Sequence, residues 1–232
     1  LGFIFPSRES ISKARNKWLM KEAFMQAGVP CARGILISGD EIDRKDIKGL
    51  SFPLIIKPID SFSSRGVFKV DSFDELQLHF AETCAFSSNG KIIIEEFLNG
   101  PEVSVESITQ NGITEIIQIT DKVITAYPTA VEMAHIQPSN HTIEIKEAIK
   151  TIVKKSVQSL ALDNCATHAE VKITAQGVKM VEIGARLGGD YITSHLVPLS
   201  TGVNIEAAAI QIAMGKKPNV LHKFSKAAVI QY

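Results

Sequence analysis

Apolar residues at 145, 149, 152, 153, 157 and 160 give the stretch Ile143–Leu160 one apolar stripe, the mark of an amphipathic helix. A second helix is predicted over Lys17–Ala27 (KWLMKEAFMQA), with Gly28 suited to a left-handed cap and Pro30 as a stop. Ser72-Phe-Asp-Glu75 has the form of a capping box and opens a third helix to about residue 82. An Ala-rich helix is predicted over 204–214, with Asn204 as its N-cap and Gly215 beyond its end. Short apolar runs at Phe52–Pro58, Val67–Val70 and Lys91–Glu95 read as strands. Glu102–Thr109 alternates apolar and polar residues, and Thr114–Thr120 follows a turn at Asn111-Gly112, which is a hairpin signal. His168–Thr174 and Val178–Ile183 form a second strand pair around Ala175-Gln-Gly177. The elements mix without a regular strand–helix–strand alternation, so the expected class is α+β.

Composition narrows the picture. The chain has 232 residues, 45% of them hydrophobic, enough for one large domain or two small ones. Its 25 basic and 25 acidic side chains balance, which argues against a nucleic-acid surface but leaves room for a local anion pocket. Cys31, Cys84 and Cys165 are scattered, and no CxxC pair exists. Neither a disulfide framework nor a zinc site is expected, and a reducing cytoplasm fits. The apolar runs are too short to span a bilayer, and no signal-peptide pattern is present. The opening Leu1-Gly-Phe-Ile-Phe-Pro6 reads like the end of an earlier element, so a fragment of something longer is expected.

The strongest chemical candidate is the last hairpin. With a three-residue loop at Ala175-Gln176-Gly177, Glu170 faces Glu182 across the strands. Like charges so placed destabilise a sheet unless a cation compensates, and oxygen-only ligands suit magnesium. His168 and Lys172 share the face of Glu170, and Arg186 lies just past the second strand. Acids flanked by cations are what phosphoryl transfer needs, with Lys172 and Arg186 as its candidate catalytic cations. The other reading is a solvated ladder of surface charge pairs, and a different loop length would shift the register.

Two further segments have the right chemistry. Lys57 ends an apolar strand and is followed by Ser61, Ser63, Ser64, Arg65 and Gly66. A point charge beside small residues can wrap an anion, although Ser-Gly loops are often ordinary turns, and no GxxxxGK[ST] motif is present. In Ile92–Glu102, a strand runs into a turn flanked by Glu95, Glu96, Leu98 and Glu102. Such a segment can hold an adenine edge by its backbone and ribose by Glu102, or it can simply end in solvated glutamates.

Taken in order, FPLIIKP at 52–58, IEEFL at 94–98 with Gly100-x-Glu102, HAEVK at 168–172 and Glu182–Gly189 resemble the ATP-grasp superfamily. The likeness runs from about Asn16 to Gly215 and is greatest to the branch holding biotin carboxylase, carbamoyl-phosphate synthetase and the amino-acid ligases. The resemblance implies that Lys17 and Lys57 bind ATP phosphates under a lid of Ser63, Ser64, Arg65 and Gly66. It implies that Glu95 and the backbones of Glu96 and Leu98 hold adenine, and that Glu102 holds ribose. Glu170 and Glu182 would ligate one or two magnesium ions, or manganese, and Arg186 would stabilise the γ-phosphate and an acyl-phosphate. Gly184 stands where many relatives have a metal-contacting Asn, which puts the second ion in doubt.

The hairpin motifs, with Thr120-Asp-Lys122 and Val131-Glu132, look most like the amino-acid and dipeptide ligases. Lys122, Glu132 and His168 would then face the acyl substrate, although surface charge also explains the first two. Two lobes are expected, 1–98 and 99–232, gripping ATP between antiparallel sheets. The implied reaction joins a small carboxylate to an amine through an acyl-phosphate, without nucleic acid or membrane, and leaves room for a homodimer of the full-length protein. A purine-biosynthesis ligase or formyltransferase, a biotin-type carboxylase, and a module that holds ATP without turnover stay open as alternatives. The cysteines and Trp18 read as packing residues, and His195 as a structural histidine.

Overall fold

The computed structural model describes residues 2–39, 41–61, 65–125 and 131–232. Two helices come first, α1 (Arg8–Arg15) and α2 (Lys17–Ala27). Asn16 caps α2 by accepting from the N–H groups of Trp18 and Leu19, and Gly28 ends it at φ 64°. Both ends follow the chemistry of their residues, a side-chain acceptor at the start and a left-handed glycine at the finish.

A four-stranded antiparallel sheet follows, built from β1 (Gly34–Ser38), β2 (Leu54–Pro58), β3 (Phe68–Val70) and β4 (Lys91–Glu96). Its spatial order is β1-β4-β2-β3. Helix α3 (Phe73–Ala85) buries Phe73, Leu76 and Phe80 against Leu54, Ile56, Ile92 and Ile94 of this sheet. The Ser72 hydroxyl accepts from Glu75 N–H at 3.2 Å, as a capping box requires. The Glu75 carboxylate reaches one residue further back than expected, to Asp71 N–H at 2.8 Å.

The second sheet has six strands in the order β10-β7-β6-β5-β8-β9. They are β5 (Glu102–Gln110), β6 (Ile113–Ile124), β7 (Glu132–Gln137), β8 (Cys165–Thr174), β9 (Gly177–Gly184) and β10 (Ala228–Gln231). Asn111 and Gly112, at φ 52° and 76°, join β5 to β6 as the expected two-residue turn. Helix α4 (Ile143–Ser159) lays Ile149, Ile152, Val153 and Val157 on one face of this sheet. Past β9 come a π turn (Ile192–Leu196), α5 (Val197–Thr201) and α6 (Ile205–Ala213). No single helix among the described residues is long and apolar enough to cross a membrane.

Helices α1 and α2 pack away from the sheet that follows them in sequence. Ala14, Met20, Ala23 and Phe24 share a core with Val103, Val105, Val171 and Ile183 of the six-stranded sheet and with Val153 of α4. Trp18 is only half-buried and outside that core. Its neighbours Met20, Ala23 and Phe24 take the buried stripe of α2 instead. Gly100 lets the link between β4 and β5 press against β8. A Cβ there would sit 2.0 Å from the Ile173 carbonyl oxygen, and its φ of 145° already favours glycine.

Candidate functional site

One face of the six-stranded sheet packs the core shared with α4, while the other is polar at one end and at the far end packs Ile108 and Ala166 against Ile205, Ala208 and Ile212 of α6. On the polar face the registers align three rows of side chains. The first runs Lys122–Glu102–Lys172 across β6, β5 and β8. The second runs Thr120–Ser104–Glu170–Glu182 and extends onto β9. The third runs Gln118–Glu106–His168–Gly184.

Glu170 does lie opposite Glu182, but not through the expected loop. Thr174 pairs with Gly177, so the turn has two residues, Ala175 and Gln176. The register then slips between Glu170 and Val171, where Val181 is the extra residue on β9. That β-bulge returns Glu182 to the polar face. A similar slip between Val123 and Ile124 leaves Met133 unpaired on β7 and brings Glu132 to the face of His135.

Lys122 is the hub of the first row. Its Nζ lies 2.7 Å from Glu102, 2.7 Å from Glu132 and 3.2 Å from Glu170. Burial pulls the Lys122 ammonium down, but Glu170, Glu102 and Glu132 outweigh it and hold it charged far above its ordinary range. Glu170 shows the converse. Burial pushes its carboxyl up, and Lys122 with His168 brings it below the usual carboxylate value. Lys172 lies 3.2 Å from Glu102 and donates to the Gly100 carbonyl, also at 3.2 Å. Glu102, expected at ribose, therefore stands between two lysines.

Facing this sheet is a buried cationic cluster. Glu95 accepts from Lys57 at 2.5 Å through one oxygen and pairs with Lys21 at 2.8 Å through the other. Burial opposes charge on both Lys57 and Glu95. Their mutual attraction wins, so Lys57 titrates high and Glu95 low, with Glu182 and Glu170 adding to the pull on Lys57. Lys17 closes the gap between the two sets. Its Nζ lies 3.1 Å from Glu182 and donates to the Ser61 carbonyl at 2.7 Å. Glu96 pairs with Arg33, and its backbone N–H is taken by the Arg33 carbonyl at 2.9 Å. Leu98 is half-buried just beyond.

Arg186 is exposed and donates to the Leu187 carbonyl at 2.9 Å, on its own loop. Its stem folds over Gly184, where a Cβ would meet Arg186 Cγ at 3.2 Å. Gly66 takes φ 70°, and a Cβ there would meet the Phe86 ring at 2.7 Å; Arg65 beside it is exposed. Ser63 and Ser64 lie outside the described residues.

Four residues join the site that the motifs did not single out. Lys21 follows Lys17 by one helical turn, a spacing visible in the sequence. Glu106 continues the alternation of Glu102 and Ser104 and was equally readable. His135 and Asp190 were hidden, because their neighbours in space are distant in the chain or re-aimed by the bulge at Met133. Among the described residues, neither nitrogen of fully buried His135 has a hydrogen-bond partner. Nε2 comes within 3.1 Å of Glu132 but off the line a hydrogen bond needs. Ligand atoms of Glu132, His135 and Asp190 all lie within 4.8 Å of one another. Contact with His135, together with Lys122 and against burial, holds the Glu132 carboxyl down at about 2. Asp190 also lines a cavity of about 500 Å³ with Gly188, Gly189, Tyr191 and Glu206. His195 is exposed on the same segment, edge-on to Tyr191. Partial burial pushes the Cys31 and Cys165 thiols up, Cys165 to about 12, the opposite of the lowering that activates a thiolate.

A family model described as the ATP-grasp domain matches residues 50–194. The chain is 30% identical over 212 residues to the alanine–anticapsin ligase of Bacillus subtilis (strain 168), covering 82% of this chain and 44% of that enzyme. It thus spans about half the length of the curated relatives it matches. The fold superposes on an L-amino acid ligase from Bacillus licheniformis with TM-score 0.81 at 24% identity, over 95% of this chain and 54% of that one. It superposes on a biotin carboxylase–β,γ-ATP complex from Campylobacter jejuni with TM-score 0.85 at 18% identity, over 99% and 53%.

Proposed function

Because the chain belongs to the ATP-grasp family, we propose that it forms the nucleotide site of a ligase that activates a small carboxylate with ATP. The carboxylate attacks the γ-phosphorus, ADP leaves, and an amine displaces phosphate from the acyl-phosphate. The observation that carries this reading is the meeting of two oppositely charged sets, with Lys17 3.1 Å from Glu182 at the seam. Lys17 and Lys57 are assigned to the ATP phosphates. The Glu95 carboxylate is assigned to fixing Lys21 and Lys57, and adenine to the backbone near Glu96 and Leu98. Glu102 is kept at the ribose end, and Arg65 and Gly66 at the lid.

Glu170 and Glu182 are assigned to magnesium. Their chemistry fits, since two carboxylates in direct cross-strand register offer oxygen donors to a hard cation and repel each other otherwise. Such an ion would neutralise phosphate charge; one is assigned here, manganese could substitute, and a second is left to measurement. Arg186 is assigned to the transferred phosphoryl group, to be reached by turning from the Leu187 carbonyl, and Lys172 to the charge balance behind the acids. Positioning and electrostatics supply the catalysis, with no covalent enzyme intermediate.

The carboxylate substrate is proposed to be an amino acid. Glu132, His135 and Asp190 offer acceptors that an ammonium group would satisfy, beside Lys122 and His168. The likeness to an alanine-using ligase supports this class. The same proposal divides the chain into lobes 1–98 and 99–232, with α1 and α2 crossing to pack on the second lobe. It includes a homodimer of the full-length protein and a cytoplasmic location, which cysteines held as thiols rather than disulfides suit.

Glu182→Gln is the direct test. It should abolish Mn²⁺·ADP binding and ATP-dependent ADP release, and near wild-type values for both would remove the metal assignment. Lys57→Ala should weaken ATP binding, and unchanged affinity would take that lysine out of the phosphate site.

A further inference from the structure

Glu106 is a carboxylate with no exposure at all, placed between two parts of the site that belong to different elements. One oxygen receives His168 Nδ1 at 2.5 Å. The other accepts the Gly188 N–H at 3.3 Å. The far nitrogen of His168 faces Glu170 at 4.0 Å. Gly188 sits so close that a Cβ would meet Glu106 Oε1 at 2.7 Å and His168 Nδ1 at 2.8 Å. Strand β8 carries Glu170, and the loop holding Gly188 also carries Arg186 and Asp190. Thr193 adds a second tie, donating to the Gly188 carbonyl at 2.8 Å.

An isolated buried carboxylate is costly unless it is paired. Nothing in the phosphate or metal assignment needs Glu106, so its burial calls for a role of its own. We propose that Glu106 is a positioning residue that locks the Arg186 loop to the metal-carrying strand, so that the clamp on the γ-phosphoryl group stands in register with Glu170. Gly188 is the matching half of the device, since any side chain there would push the loop off the carboxylate. The inference rests on the reading of Glu170, Glu182 and Arg186 given above. Glu106 touches no substrate in this scheme and acts through His168 and the loop.

Two variants approach the contact from opposite sides. Glu106→Gln keeps shape but removes charge, and Gly188→Ala inserts a methyl group from the loop. The probes are Mg·ADP alone and Mg·ADP with aluminium fluoride, which mimics the transferred phosphoryl group. Wild type should bind ADP more tightly with fluoride. Each variant should keep its affinity for Mg·ADP and lose about 10- to 100-fold of the tightening, as partners of this kind commonly cost when altered. The double variant should lose no more than the worse single one, because both break one contact. Hydrogen exchange at residues 187–190 should speed up in both variants, while β8 and β9 stay protected.

Additive losses, unchanged exchange in the loop, or a wild type that gains nothing from fluoride would overturn the proposal. If Glu182→Gln binds Mn²⁺·ADP like wild type, the underlying metal reading fails instead. If that variant loses Mn²⁺·ADP while Glu106→Gln keeps its fluoride response, only the positioning role is lost. Should Gly188→Ala fail to fold, Glu106→Gln alone decides, through exchange and the fluoride response.

Discussion

Replacing Glu95 by glutamine takes the one negative charge out from between two buried ammonium groups. Glu95 is 7% exposed, and Lys21 and Lys57 are 6% exposed each. The carboxamide offers one acceptor and two donors, so one ammonium must face a donor and the two lysines lose the charge that separates them. Removing one member of a buried ion pair commonly costs about 3–5 kcal/mol, because a charge is left uncompensated. Here the Ala32 carbonyl accepts from Lys21 at 2.6 Å, and Glu182 and Glu170 also act on Lys57. Those partners set the expected loss near the lower end, about 3 kcal/mol. Urea unfolding at pH 7, followed through the single tryptophan, measures it. Burial pushes the Glu95 carboxyl up, and Lys57 and Lys21 more than offset that, so its folded value lies below the ordinary 4.5. Its contribution is therefore complete above about pH 4.5 and is lost as pH falls through the lowered value. The gap between wild type and Glu95→Gln should be flat from neutral pH downward and close only in acid. With Lys57 at the phosphates as proposed, Mg·ATP should narrow it by supplying the missing negative charge. A loss well under about 1 kcal/mol, or a gap that persists unchanged through the acid range, would refute the account of this cluster.

Lys122→Met leaves Glu102, Glu132 and Glu170 around an apolar side chain, with an expected loss of about 3–5 kcal/mol at pH 7. Thermal unfolding should show part of that loss recovered as the medium is acidified and the carboxylates protonate, and no recovery would mean the three acids do not share this cation. Gly100→Ala places a methyl group 2.0 Å from the Ile173 carbonyl. It should cost more than about 1 kcal/mol in a denaturant titration, and a neutral result would place the β4–β5 link elsewhere.

Local signals made much of the fold readable. The stripe of α4, the cap and glycine of α2, and the Asn-Gly turn each dictate their element through side chains a few residues apart. Elements without such signals were missed. Helix α1 has only two buried residues, Ser10 and Ala14, and so carries no apolar stripe. Strands β1, β7 and β10 are short, and their partners lie far away in sequence, so only the folded sheet defines them. The site divides in the same way. Lys57, Glu170, Glu182 and Arg186 sit in motifs, whereas His135 and Asp190 meet only through chain segments that are about 55 positions apart. The packing of α1 and α2 on the second sheet had no local cue at all.

The β8–β9 hairpin shows how a correct pairing can hide two compensating details. The turn is one residue shorter than the glycine suggested, which alone would put Val181 opposite Glu170 and turn Glu182 toward the apolar core. The bulge at Val181 adds that residue back. The sequence carries the trace: Lys179, Met180, Val181, Glu182, Ile183 alternates except for two adjacent apolar residues. If Val181 is the surplus residue, deleting it leaves every other pair of β8 and β9 intact, with Lys179 and Glu182 still on the polar face and Met180 and Ile183 still in the core. The deletion should therefore fold and cost far less than the exceptional 4–5 kcal/mol or so of a disrupted core. Circular dichroism and thermal unfolding measure the fold, and Mn²⁺·ADP titration measures the acid pair. An unfolded deletion variant would show that the ladder depends on Val181 itself. A folded one with weakened Mn²⁺·ADP binding would mean that the twist the bulge adds, rather than the register alone, sets the distance between Glu170 and Glu182.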